Sequence, residues 1–249
     1  MDDLVYIIPD TQSKSNVLNP LIPLAHHICQ IRPTLLIHLG DAWDMPSLSQ
    51  YDKGKKSHRS RTYHTDVAAG NKAMAQFWEI IHSKWPSFHD QCQAVILKGN
   101  HEDRIDRAKE YGPDELVTLM DEFPCDYSYW DQVMPFLKVF EWGGIEFCHY
   151  FQNSGGPKPV GTARQLLMKG HKSRVAGHKQ GFDYEEMPSG SNSMIQGMIV
   201  GSCYYHDEAY KAHTNNHFRG SVVLKSFIDG VYDFSRYSLG ALAKRYGKT

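Results

Sequence analysis

Short apolar runs recur along the chain, and each of them stops abruptly at a cluster of polar side chains. Residues 4–8 run into Pro9-Asp10-Thr11-Gln12, and residues 35–39 into Gly40-Asp41-Ala42-Trp43-Asp44. Residues 94–97 lead through Lys98 to Gly99-Asn100-His101-Glu102-Asp103-Arg104, 145–148 to His149, and 175–176 to Gly177-His178-Lys179-Gln180. Apolar runs of this length, bounded by glycine and polar residues, read as buried strands. Between them the period changes to that of a helix. Leu21, Leu24, Ala25 and Ile28 share one face up to about residue 30, with Asn19 as cap and Pro20 at the first helical position. Met74, Phe77, Trp78 and Ile81 mark a second helix, capped by Asp66, with its aromatic residues in the core. A further helix is predicted over 103–110, and another starts at Gly112-Pro113-Asp114-Glu115 and turns Leu116, Leu119 and Met120 inward.

The second half is richer in strands. Residues 136–141 and 145–149 are joined through Trp142-Gly143-Gly144, a hairpin signal, and 152–160 read as a loop. Thr162 caps a helix that closes at Gly170. Strands follow at 174–176, 182–187, 194–200, 221–228 and 231–237, the last two meeting across Asp229-Gly230, and the tail from Ala243 is read as frayed. A βαβ half followed by a β-rich half predicts an α/β fold of two packed mixed β-sheets flanked by helices, as a single domain over 1–249.

Composition narrows the setting. The chain has 249 residues, enough for a substantial core, and 41% of them are hydrophobic, with no apolar run long enough to span a bilayer. The start, MDDLVYII, enters a strand directly and does not read as a signal peptide. Cys29, Cys92, Cys125, Cys148 and Cys203 are widely spaced, odd in number and free of CxxC, as expected of buried thiols in a reducing compartment. A cytoplasmic protein without membrane association is therefore expected. The formal net charge of -1 gives no global field, so contact with a polyanion must rest on a local patch. Residues 45–65 supply one: Lys53, Lys55, Lys56, Arg59 and Arg61 against the single acid Asp52, interleaved with Tyr51, His58, Tyr63 and His64. Such a run is either a solvated loop or a basic arm that holds a phosphodiester substrate by its phosphates.

The polar clusters are metal-ligand chemistry. Asp10, Asp41, Asn100, His149 and His178, with Gln12 and Gln180, are too many donors for one ion and suit two divalent ions sharing a carboxylate. Oxygen-rich ligation favours Mn2+ or Mg2+, with Mn2+ expected first, while the histidines admit Zn2+ or Fe. Two such ions about 4 Å apart lower the pKa of a water they share and clamp the oxygens of an in-line displacement at phosphorus. His101 follows Asn100 directly, so it can face the leaving group, with Asp44 orienting its imidazole. His26, His27 and His38 sit within predicted elements and read as packed groups rather than ligands. His206, His213 and His217, in a Tyr-rich loop, match no metal spacing and read as rim or merely polar groups.

In this set and order, the motifs resemble those of the calcineurin-like metallophosphoesterase superfamily. Its DxH, GDxxD, GNHE, lone His and GHxH stand here as Asp10-Thr11-Gln12, Gly40-Asp41-Ala42-Trp43-Asp44, Gly99-Asn100-His101-Glu102, His149, and Gly177-His178-Lys179-Gln180. The stretches GDAWDMPSLSQYDKGKK and GNHEDRI also resemble a phosphoesterase group common in phages and prophages, which would place the protein in a host cytoplasm. The resemblance implies one ion on Asp10 and Asp41 with residues 12 and 180, and a second on Asp41, Asn100, His149 and His178. It implies His101 as the catalytic histidine. The chain departs from the family where Gln12 and Gln180 replace two metal-binding histidines, which reads as a first site retuned toward Mn2+ or Mg2+, or else as a weakened one. Arg104, on the first turn after GNHE, is a candidate phosphate clamp, and Lys158, Lys169, Lys172, Arg174 and Lys179 add basic charge near His149 and His178. The expected activity is two-metal hydrolysis of phosphodiesters, with DNA, RNA or nucleotides as substrates. The alternatives are a phosphomonoesterase of the protein-phosphatase kind, which the Met45 after Asp44 disfavours, and a catalytically weak protein that binds metal and nucleic acid.

Overall fold

The computed structural model describes residues 3–52, 54, 60–153, 155–190, 193–207 and 215–247. In chain order its elements are β1 (Val5–Ile8), α1 (Leu21–Ile31), β2 (Leu35–His38), α2 (Tyr63–Lys84), α3 (Phe88–Gln91), β3 (Gln93–Leu97), α4 (Asn100–Tyr111), α5 (Asp114–Glu122) and β4 (Gln132–Met134). There follow β5 (Phe140–Trp142), β6 (Ile145–Cys148), α6 (Ala163–Gly170), β7 (Ser173–Ala176), β8 (Asp183–Pro188), β9 (Met194–Ile199), β10 (Gly220–Ile228), β11 (Val231–Ser238) and α7 (Leu239–Tyr246).

The strands form two mixed sheets, one ordered β11-β10-β1-β2-β3-β4 and the other β5-β6-β7-β9-β8. In the first, β1, β2, β3 and β4 run parallel and β10 pairs antiparallel to β1. In the second, β6, β7 and β9 run parallel between antiparallel edges. Alternation along each strand separates the layers. Val5, Ile7, Leu35, Ile37 and Val95 meet Ile145, Phe147, Val175 and Met198 between the sheets. Tyr6, Ile8, Leu36, Ala94 and Ile96 face outward onto Leu24, Ile28, Phe77, Trp78 and Leu242 of the helices. A smaller cluster, with Leu166 of α6 against Cys148, Ala176 and Ile199, covers the far face of the second sheet. This is the expected α/β architecture of two packed sheets flanked by helices. The cysteines are free thiols. No helix of the described residues is long and apolar enough to cross a membrane.

Several boundaries differ from the sequence expectation, each for a local reason. α2 starts at Tyr63, where the Thr62 hydroxyl accepts the Thr65 N–H, and Asp66 instead accepts the Ser47 N–H at 2.8 Å. α4 begins at Asn100 rather than at residue 103, so the polar cluster is itself the first helical turn. The strand expected over 136–141 pairs only from Phe140, because Leu137 adopts a left-handed backbone with φ 62°. β4 and α3 went unforeseen, being too short to display a period. α6 ends at a left-handed His171 rather than by means of Gly170. As far as it is described, to Gly247, the tail is not frayed: the Ser238 hydroxyl caps α7, which buries Leu239, Leu242 and Ala243. Both hairpins are as expected, with positive φ at Gly143-Gly144 and at Asp229-Gly230.

Candidate metal centre

The polar clusters leave the carboxyl ends of β1, β2 and β3 in one sheet and of β6 and β7 in the other, and they meet where the two sheets adjoin. Two hydrogen bonds stitch that seam. The His178 N–H donates to Asp10 Oδ1 at 3.0 Å, and His149 Nδ1 donates to the Leu39 carbonyl at 2.8 Å. The turns that carry the donors are bent into unusual shapes. Gln12, Asp41 and His178 all have left-handed backbones, with φ of 42°, 51° and 64°. For residues with a Cβ this conformation costs roughly 1–2 kcal/mol each, and such strain gathers at functional sites. Gly99 supplies the room that Asp41 needs, since a Cβ there would lie 2.1 Å from Asp41 Oδ1.

Asp41, His149 and His178 bring ligand atoms within 4.8 Å of one another. With Nδ1 donating to the Leu39 carbonyl, His149 turns Nε2 inward, where it faces Asn100 Oδ1 at 3.0 Å and Asp41 Oδ1 at 3.4 Å. These nitrogen and oxygen atoms converge on one place, an arrangement that a cation satisfies once the imidazole presents its Nε2 lone pair. Burial, then the neighbouring His149, holds His178 down at about 4, so His178 presents a lone pair near neutral pH.

Asp10 and Gln12 present a second, all-oxygen group. Asp10 Oδ2 and Gln12 Oε1 are buried and have no hydrogen-bond partner among the described residues. Burial and the nearby Asp41 carboxylate push Asp10 up to about 7. Two buried carboxylates with too few positive partners are costly, and a shared divalent ion removes that cost. Gln180 is buried beside His178 at the end of the same turn. Asp41, His149 and His178, with these unpartnered oxygens of Asp10 and Gln12 also buried, therefore fit a divalent ion.

His101 stands next to these groups. Its backbone N–H donates to Asp41 Oδ1 at 2.9 Å, Nδ1 lies 3.3 Å from Asp44 Oδ1, and Nε2 lies 3.7 Å from Asp41 Oδ2. Burial opposes the imidazolium, but Asp41 and Asp44 outweigh it and hold the ring up at about 9. Burial likewise resists the Asp44 anion, and His101 with Lys14, whose Nζ is 3.3 Å away, keeps that carboxyl below the usual range.

Glu102 holds the site together, a role that the motif alone did not reveal. Its buried carboxylate accepts the N–H groups of Gly99 (2.7 Å), Asp41 (3.0 Å), Ala42 (2.7 Å) and Trp43 (3.0 Å), locking the turn after β3 to the turn after β2. Since α4 starts at Asn100, Glu102 is its third residue, the position from which a Glu reaches back to the cap. Lys14 also escaped the sequence reading, because nothing in the pattern brings it near Asp44.

The remaining candidates are placed as follows. Arg104 Nη1 donates to the carbonyls of Asp44 (3.2 Å) and Met45 (3.1 Å), so this candidate clamp is also a strut beneath the Asp44 turn. Lys53, Lys55, Lys56 and Arg59 lie outside the described residues, as do His58 and His213. Arg107 pairs with Asp103, Arg174 and Lys172 with Glu146, and Lys179 lines a cleft with His178 and Gln180. His27 and His38 are packed and bonded, as read: His27 Nδ1 with the Tyr6 hydroxyl at 2.9 Å, and His38 Nε2 with Thr11 Oγ1 at 3.1 Å. His206 stacks on Tyr204, and His217 contacts Ser202 Oγ.

No family model matches the chain, and no curated protein does. Among solved structures, the chain is similar in backbone course to wild-type Vps29 from Entamoeba histolytica complexed with Zn2+. The identity is 12% and the TM-score 0.43, over 95% of this chain and 99% of that one. A single mutant of the same Vps29 matches with 12% identity and a TM-score of 0.44, over 94% of this chain and 98% of that one.

Proposed function

We propose that the protein is a metal-dependent phosphoesterase whose preferred bond is a phosphodiester. The observation that carries this reading is the inward convergence of His149 Nε2, Asn100 Oδ1 and Asp41 Oδ1, beside the unpartnered Asp10 Oδ2 and Gln12 Oε1. These residues would hold two divalent ions, with Asp10, Asp41, Gln12 and Gln180 on one and Asp41, Asn100, His149 and His178 on the other. When bound, such ions supply charge neutralisation at phosphorus and an acidified water. The glutamine oxygens of the first set favour Mn2+ or Mg2+ over softer ions.

The rest of the chemistry belongs to the side chains. Asp44 fixes the His101 ring through Nδ1, which leaves Nε2–H as the free donor. As water oxygen bonds to phosphorus, the opposite P–O bond breaks and its electron pair stays on the leaving oxygen. His101 gives that oxygen a proton and regains one from solvent. Were Asp41 to hold a cation, Asp44 would be the carboxylate left to favour the charged ring of His101.

The test is hydrolysis of bis(p-nitrophenyl) phosphate and p-nitrophenyl phosphate with Mn2+, Mg2+, Zn2+ or chelator. Diester cleavage that needs Mn2+ or Mg2+ and falls about 100-fold or more in His101→Ala is expected. Preference for the monoester would move the substrate class to phosphomonoesters. Metal binding without turnover of either ester would leave a binding protein.

A further inference from the structure

A cavity of about 640 Å³ opens beside the metal centre, between the residues that follow β1 and the exposed flank of α2. It is lined by Gln12, Ser13 and Lys14 after β1, by Ala68, Ala69 and Ala73 of α2, and by Tyr204 and His206. From this groove we infer a substrate subsite beside the metal centre, shaped for one unpaired nucleotide of a single strand. The inference rests on the phosphoesterase reading and names the class of substrate.

Position comes first. The groove meets the centre at Gln12 and at Lys14, and Lys14 contacts Asp44, the carboxylate that holds His101. Chemistry comes next. No Asp or Glu of the described residues lines the groove, whereas Lys14 and Lys72 do. That charge suits a strand whose next phosphate lies along the groove toward Lys72, which is exposed on α2. The three alanines make α2 apolar at this wall, and Tyr204 and His206, whose rings stack 4.3 Å apart and 15° from parallel, add aromatic character to the lining. Apolar and aromatic walls accept a nucleobase by its faces. The side-chain amides of Asn16 and Gln76 are available to its edges. Ser13 Oγ is buried here with no hydrogen-bond partner among the described residues, so a polar atom of the built site awaits a ligand. The volume lies in the range of small-molecule pockets, enough for one nucleotide.

The test uses the full-length protein in two arms. In the first, a thymidine 5′-monophosphate titration of metal-free protein is followed by calorimetry or by amide spectra, so that no ion can hold the phosphate. Wild type is expected to bind, and Lys72→Glu and Ala69→Trp each to weaken binding about tenfold. Lys72 is exposed, so its variant keeps the test readable if the tryptophan disturbs folding. In the second arm, kcat/KM for a single-stranded thymidine oligonucleotide is divided by kcat/KM for bis(p-nitrophenyl) phosphate. That ratio is expected to fall about tenfold in both variants, and duplex DNA is expected to be a poor substrate. Equal binding by wild type and both variants, or a duplex cleaved as fast as the single strand, would overturn the subsite. Nucleotide binding that the variants weaken, without hydrolysis of any diester, would overturn the phosphoesterase reading and leave the groove as a nucleotide site.

Discussion

His27 and His38 illustrate how far a single buried side chain constrains this protein. Both are buried neutral: burial and then Arg245 press His27 down to about 4, and burial holds His38 at about 3. Neutral His38 accepts the Gly40 N–H on Nδ1 at 3.2 Å and donates its one ring N–H, on Nε2, to Thr11 Oγ1, so it positions the turns that carry Asp10 and Asp41. Neutral His27 bonds the Tyr6 hydroxyl, which in turn meets Ser221 Oγ at 2.8 Å. Above pH 6.5, the ordinary histidine value, neither folded nor unfolded His27 carries a proton and the group contributes nothing. Below it the unfolded chain takes up a proton that the folded chain refuses until about 4, so stability falls as pH falls through that window. His27→Gln keeps an acceptor for Tyr6 and removes the titration. In urea unfolding, wild type should lose stability relative to this variant by up to about 1.4 kcal/mol per pH unit below the ordinary histidine value. A difference that stays constant with pH would show that His27 is not buried neutral. The same single-residue scale explains what the motifs disclosed. Asp10, Asp41, Asn100, His149 and His178 were legible because each stands where an apolar run breaks off. Lys14 and Ser13 were not, because their place is fixed by a turn that no period announces.

Glu102 acts between elements. One carboxylate takes four N–H groups from two turns, so β2 and β3 present Asp41 and Asn100 in one fixed relation. Burial, then the Asp41 charge, push this carboxyl upward, and the backbone donors, with Trp43 foremost, pull it back. Glu102→Gln keeps the shape but brings an amide NH2 against N–H groups that need an acceptor. A loss on the order of 3 kcal/mol is expected in urea unfolding, together with weakened metal binding. Unchanged stability would mean that the turns hold their shape without it. At this scale the sequence was legible in proportion to length and period. The buried parallel strands and the amphipathic α1 and α2 were anticipated within a few residues. β4 and α3 were not, since three or four residues carry no period, and α7 was mistaken for a frayed tail because its basic residues masked Leu239, Leu242 and Ala243.

At the scale of the whole molecule, the centre depends on two sheets meeting. β1, β2 and β3 deliver Asp10, Gln12, Asp41 and Asn100 from one, while β6 and β7 deliver His149, His178 and Gln180 from the other. The bonds from His149 to Leu39 and from His178 to Asp10 cross the seam, so packing of the sandwich and assembly of the ligands are one event. The layer order was legible from the βαβ start and the β-rich end, and the grouping of the donors from their common place at strand ends. The groove along α2 was not, because it exists only where the turn after β1 stands off from a helix that begins some forty residues later. The most direct measurement of the central claim is the Mn2+ stoichiometry of the purified chain, by calorimetry together with electron paramagnetic resonance. Two ions per chain with a spin-coupled signal are expected, and Asp41→Asn should abolish the coupling, since the proposed centre has that carboxylate hold both ions. A single uncoupled ion in the wild type, or a coupled pair that survives loss of Asp41, would contradict a two-ion centre built on these residues.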